Sequence, residues 1–125
     1  MTLTRVAYRI ENPSTGVGLW YRKDGEQIDF IKSIKGAKCA DLPMGYDSSI
    51  AEGGWISGTD SIRAMAEWLF ASDAEQLTTA GHGLFKVTVA APGFRITTAP
   101  YVHAVFRPDY VIDRMQIPFA ALALS

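Results

Sequence analysis

The chain has 125 residues, 48% hydrophobic and 20% charged, with a formal net charge of −1 and one cysteine. That length supports one buried core and is too short for two, so a single domain spanning 1–125 is expected. The balanced charge excludes generic binding to a nucleic-acid polymer, which needs surplus Lys and Arg to displace counterions. Cys39 has no second cysteine to pair with, and Met1–Arg5 leads into charged Arg9 and Glu11 without an apolar signal region. The longest apolar run, Phe119–Leu124, is far below spanning length. A cytoplasmic protein with no membrane partner is the expectation.

In chain order, Thr4–Glu11 alternates, with Val6, Tyr8 and Ile10 on one side and Arg5, Ala7, Arg9 and Glu11 on the other, the pattern of a half-buried strand. Asn12 to Gly16 is turn chemistry around Pro13. Leu19–Arg22 and Gln27–Ile34 read as further short strands. Gly36–Gly54 has no period and is rich in Gly, Pro, Asp and Ser, so a long surface loop is expected, of a kind often used for binding. Trp55 and Ile56 predict a short strand leading into the helical stretch Gly54–Ala80.

In that stretch Ile62, Met65, Ala66, Leu69 and Phe70 recur at helical spacing. Thr59 or Asp60 stands where a side-chain oxygen caps the first free N–H groups, and Gly81 stands where a left-handed residue ends a helix. Ser72 and Asp73 interrupt the apolar face and can act as a second cap, so either one long helix or a helix pair fits. Beyond it, Leu84–Ala90, Phe94–Thr98, Val102–Phe106 and Tyr110–Ile117 read as strands separated by turns at Pro92-Gly93, Ala99-Pro100 and Pro108-Asp109. The fold class is α+β: an antiparallel or mixed β-sheet packed with one long helix or helix pair.

Chemistry-bearing motifs are sparse. His82 and His103 are not at metal-ligand spacing, no CxxC or HExxH is present, and neither a metal site nor a cofactor is expected. Ser57 lacks the flanking glycines of a nucleophile elbow. Gly16-Val17-Gly18 precedes a strand, whereas a dinucleotide fingerprint needs a helix N-terminus there. The informative signal is arginine beside aromatics: Arg9, Arg22, Arg95, Arg107 and Arg114 lie on or just beyond strands, near Trp20, Tyr21, Phe94, Tyr101 and Phe106. Guanidinium groups hold phosphate bidentately and aromatic rings stack on bases, which suits a nucleotide-like ligand.

The opening Tyr8-Arg9-Ile10-Glu11-Asn12-Pro13-x-Thr15-Gly16-x-Gly18 resembles the start of a family of small phage- and prophage-encoded proteins. Trp55-Ile56-Ser57, the helix with Trp68-Leu69 and Leu77, Gly81, and the last strand with Gln116 and Phe119 are similar to later parts of that family. Leu19-Trp20-Tyr21 departs from it, since proline is usual there. The organisation looks similar to Thoeris anti-defence sponges, which sequester cyclic ADP-ribose-type signals. The resemblance implies a non-enzymatic, homo-oligomeric binder of a nucleotide-derived immune signal in the host cytosol. Its ligand residues would be Arg9, Trp55, Ser57, Phe94, Arg95, Tyr101 and Arg107, and no catalytic residue is assigned.

Two alternatives accompany it. A phage-type protein can instead bind and inhibit a host defence protein, for which an exposed apolar tail at Phe119–Leu124 would serve. The order of a strand with Tyr-Arg, then aromatic-x-Ser before a helix, is also similar to a pared-down ADP-ribosyltransferase. In that reading Arg9 and Ser57 fill the arginine and serine positions, and Gln116 stands nearest to the missing catalytic carboxylate.

Overall fold

A computed structural model describes residues 3–11, 13, 55–67, 69–79, 81–97 and 103–123. The expected strands at Leu19–Arg22 and Gln27–Ile34, the loop Gly36–Gly54, Cys39, Trp68 and Tyr101 lie outside the described residues. The chain forms β1 (Thr4–Glu11), β2 (Ile56–Gly58), α1 (Ile62–Ala66), α2 (Ala71–Thr79), β3 (Gly83–Ala90), β4 (Phe94–Thr97), β5 (His103–Phe106) and β6 (Val111–Ile117). Single 3₁₀ turns occupy Ala91–Gly93, Pro108–Tyr110 and Phe119–Leu122. No helix among the described residues is long and apolar enough to cross a membrane.

The strands make two three-stranded antiparallel sheets, in the orders β1-β3-β6 and β2-β5-β4. With two helices beside them, the class is α+β. The sheets meet at a two-residue bridge: Tyr8 N–H donates to the Thr59 carbonyl at 2.7 Å and Thr59 N–H to the Tyr8 carbonyl at 2.8 Å. Gly58 makes that approach possible, because a Cβ there would lie 2.5 Å from the Tyr8 carbonyl oxygen.

In the first sheet, Ala7 pairs with Val87, Arg9 with Phe85, and Phe85 in turn with Gln116 of β6. Paired residues share a face, so Ala7, Arg9, Glu11, Phe85, Val87, Arg114 and Gln116 look one way. That face is turned to the second sheet, since Ala7, Phe85, Val87 and Val89 form one core cluster with Phe106 of β5. Ile56, Phe94 and Val111 pack against its rim.

The half-buried reading of β1 is therefore corrected. The face with the charged residues is the enclosed one, with Arg9 at 8% and Glu11 at 2% exposure. Ile10 and Leu84, on the other face by alternation, are buried as well. A strand that carries a partner layer on both faces loses the simple polar–apolar alternation on which the sequence reading relied.

The helical stretch divides. Ser61, one residue beyond the expected caps Thr59 and Asp60, starts α1, and its Oγ accepts from Ala64 N–H at 3.0 Å. Thr59 instead donates its hydroxyl to the Ser61 carbonyl. The second helix begins at Ala71, so Ser72 and Asp73 lie inside it rather than before it. Asp73 Oδ2 accepts from Phe70 N–H at 2.8 Å, the reach-back half of a capping box. Phe70, expected on the apolar helical face, falls between the helices and is 45% exposed, whereas Leu69 beside it is 2% exposed. Gly81 ends α2 as expected. Its φ is 91°, and Gly81 N–H to Thr78 and His82 N–H to Leu77 complete a Schellman motif.

Candidate functional site

Two groups of arginines emerge, on different sheets. The first surrounds Arg95 on β4, an edge strand of the second sheet among the described residues. Ser57, Val105 and Arg95 occupy one row across β2, β5 and β4, while Ile56, Phe106 and Phe94 occupy the next, which faces the core. Trp55 precedes Ile56, so alternation places it on the face that carries Arg95, opposite to the core-facing row. The Arg95 guanidinium carbon stands 4.2 Å from the Trp55 ring centroid, and that of Arg107 stands 5.8 Å from it. Two cations thus converge on one indole, which attracts them through its negative face.

The carboxylate paired with Arg107 is a weak neutraliser. Asp109 Oδ1 lies 3.6 Å from Arg107 Nε, and that nitrogen makes no hydrogen bond among the described residues. Both members of the pair are exposed enough for solvent to screen the attraction. Arg95 also borders a cleft of about 450 Å³, lined by Arg5, Val6, Asp60, Ala91, Phe94 and Ile96 beside it. That volume falls in the range of small-molecule pockets. Phe94 both lines this cleft and packs against the core cluster.

The second group lies on the enclosed face of the first sheet. Arg9 Nε donates to Glu11 Oε2 at 3.3 Å, and Arg114 Nη1 donates to Glu11 Oε1. The Arg114 side chain is 36% exposed, and its guanidinium lies over the Phe85 ring. His82, just before β3, is buried near Arg9. Burial first, and the positive charge of Arg9 second, hold its pKa below the usual histidine value. The imidazole is thereby favoured in its neutral form, which adds no positive charge to the pair of guanidiniums.

Of the residues read as ligand-binding in the sequence, Trp55, Arg95 and Arg107 come together, Phe94 lines the cleft beside Arg95, and Ser57 is in the same strand row as Arg95. Arg9 belongs to the other sheet and is ion-paired with Glu11. Tyr101 lies outside the described residues. The sequence reading gave no ligand role to Arg5, Asp60, Glu11 or His82, and named Arg114 only among the arginines near aromatics. The period-two spacings Arg9-x-Glu11 and Arg114-x-Gln116 were the available signal, since each puts both side chains on one strand face.

Among the described residues, no three of His, Cys, Asp and Glu gather where they could hold a metal ion. No family model, curated protein or solved structure matches the chain.

Proposed function

We propose that this chain is a non-enzymatic, cytoplasmic binding protein that sequesters a small nucleotide-derived signal, the anti-defence role implied by its resemblance to small phage proteins. The observation that supports this reading is the convergence on Arg95. A cleft of nucleotide size, an aromatic ring and two guanidiniums meet at one edge of the second sheet. Phosphate oxygens would be taken by Arg95 and Arg107, and a base would stack beside Trp55 or against Phe94. Host cytosol is where such a signal is made, and a homo-oligomer would raise the number of sites per particle.

Calorimetry with a panel of cyclic nucleotides and cyclic ADP-ribose isomers tests the reading directly. Saturable heat is expected with at least one of them. Arg95→Ala should weaken binding by about tenfold or more, the worth of a charge-assisted hydrogen bond. An Arg at this exposed edge stabilises the fold little, so the melting temperature of that variant should stay close to wild type. A panel that gives neither heat nor a shift in melting temperature overturns the proposal. Native mass spectrometry of protein from signal-producing cells would report carried ligand and oligomer together.

One observation favours a second reading, the transferase-like one. Arg9, Phe85 and Gln116 form a single row across β1, β3 and β6, which sets the arginine and the glutamine on one face. An amide does not supply the charge of a carboxylate beside an oxocarbenium-like centre. Transfer of label from NAD to extract proteins, abolished by Arg9→Ala, would select this reading over sequestration.

A further inference from the structure

We infer that the cleft beside Arg95 recognises the ribose-phosphate part of a nucleotide, with the phosphate at Arg5 and Arg95 and the sugar hydroxyls at Asp60. The inference rests on the nucleotide reading of this cleft and adds a chemical selectivity to it. Its foundation is the charge that the lining leaves unpaired. Arg5 comes from β1, Arg95 from β4 and Asp60 from the segment that follows β2. All three border one cleft of about 450 Å³. Among the described residues, neither Arg5 nor Asp60 makes a hydrogen bond or an ion pair, with each other or with Arg95.

Asp60 is placed there by the bridge between the sheets. Thr59, the residue before it, bonds to Tyr8 through both its N–H and its carbonyl. The Thr59 hydroxyl donates to the carbonyl of Ser61, the residue after it, and Thr59 itself is 1% exposed. The backbone is therefore held on both sides of Asp60, while Asp60 itself stays exposed. Ala91 N–H donates to the Leu3 carbonyl at 3.0 Å, which ties the turn before β4 to the start of β1 near Arg5. Walls fixed in this way keep the three charged residues at set places along the cleft before any ligand arrives, which lowers the ordering cost of binding.

A bare phosphate satisfies such a cleft only in part. The two guanidiniums attract it and the carboxylate repels it. A ribose phosphate removes the conflict, because its hydroxyls donate to the carboxylate while its phosphate meets the guanidiniums. The carbon skeleton of the sugar would pack on Val6, Phe94 and Ile96, the apolar part of the lining.

Nuclear magnetic resonance titrations of the intact chain with adenosine monophosphate, deoxyadenosine monophosphate and inorganic phosphate test the inference. Saturable movement of the Asp60 and Arg95 backbone amide signals is expected with the ribonucleotide. It should bind about tenfold tighter than the deoxynucleotide, the worth of one hydrogen bond to a charged group. Asp60→Ala should bring the ribonucleotide down to the level of the deoxynucleotide and leave inorganic phosphate bound no more weakly than in wild type. A structural effect of the substitution would weaken all three together and lower the melting temperature, which should instead stay unchanged. Equal affinity for the two nucleotides, a preference that survives Asp60→Ala, or no saturable movement with the ribonucleotide overturns the inference. In each of those cases heat from the cyclic panel still upholds sequestration, whereas a silent panel overturns sequestration whatever the monophosphates do.

Discussion

A Cβ at position 58 would meet the Tyr8 carbonyl oxygen at 2.5 Å, and that oxygen accepts the Thr59 N–H that joins the two sheets. Neither atom belongs to a flexible side chain, so neither can move aside without parting the bridge. Gly58→Ala is therefore expected to destabilise by about 1–3 kcal/mol, read as a lower urea midpoint. A midpoint equal to wild type would mean that the bridge is not needed. Glu11 is a residue of another kind. Its removal leaves Arg9 in an enclosed site without the carboxylate that it contacts at 3.3 Å. Breaking a buried pair in this way costs about 3–5 kcal/mol, so Glu11→Ala should be among the most destabilising single changes in the chain.

His82 gives the residue scale a pH dependence with a defined sign. Its folded-state pKa is lowered from 6.5, by burial first and by Arg9 second. Below pH 6.5 the unfolded chain takes up a proton at this histidine that the folded chain resists. The stability linked to neutral His82 is fully present above that pH and is lost as pH falls toward the lower folded value. His82→Gln should flatten the fall of melting temperature on the acid side of neutrality. An unchanged slope in the variant would assign that fall to other groups.

At the scale of elements, the division of the helical stretch shows where local chemistry was readable and where it was not. Ile62, Met65, Ala66 and Leu69 keep a helical period across the break, so periodicity alone does not reveal it. The break is instead written in two caps. Ser61 holds the Ala64 N–H at the start of α1, and Asp73 reaches back to the Phe70 N–H at the start of α2. Asp73 was read as a cap, and it is one, but from the third position of the helix rather than the position before it. That displacement moves the helix start ahead of Ser72 and leaves Phe70 outside. Ser61→Ala should cost about 1 kcal/mol in stability and lower the far-ultraviolet helical signal, the usual effect of removing an N-cap oxygen.

The strands were more legible. β1 has the expected bounds, β3 starts one residue earlier and β6 one residue later than expected, and the described parts of β4 and β5 lie within their expected ranges, Thr98 and Val102 being outside the described residues. Turn residues such as Pro92-Gly93 and Pro108-Asp109 punctuate them. What the strand patterns do not carry is the pairing between sheets. Nothing local in Tyr8 or Thr59 announces their bridge, and the burial of Arg9 and Glu11 depends on what packs against that face rather than on the pattern of β1. For the same reason the site was half visible. Arginine and aromatic residues could be named, but their division into one group at Trp55 and another at Glu11 depends on which face of which sheet each occupies.

For the whole molecule, the C-terminal turn gives the described part of the apolar tail an internal use, Leu124 lying outside the described residues. Phe119–Leu122 forms a 3₁₀ turn after β6, closed by Ala123 at a φ of 51°. Leu122 is 4% exposed and Phe119 is half-buried, while Ala120 and Ala121 stay in contact with solvent. The turn packs against α1, the same helix that contacts β1, so it ties the end of the chain to the region near its start. A tail held ready for a partner would show its large side chains and bury its small ones, the reverse of this pattern. Leu122→Ala should then destabilise the monomer by about 2–4 kcal/mol, the cost of emptying a leucine-sized space in a packed core. The loss should be independent of protein concentration, because the space lies within one chain. A midpoint that instead rises with protein concentration in wild type, and loses that dependence in Leu122→Ala, would move Leu122 from the core to an interface between copies.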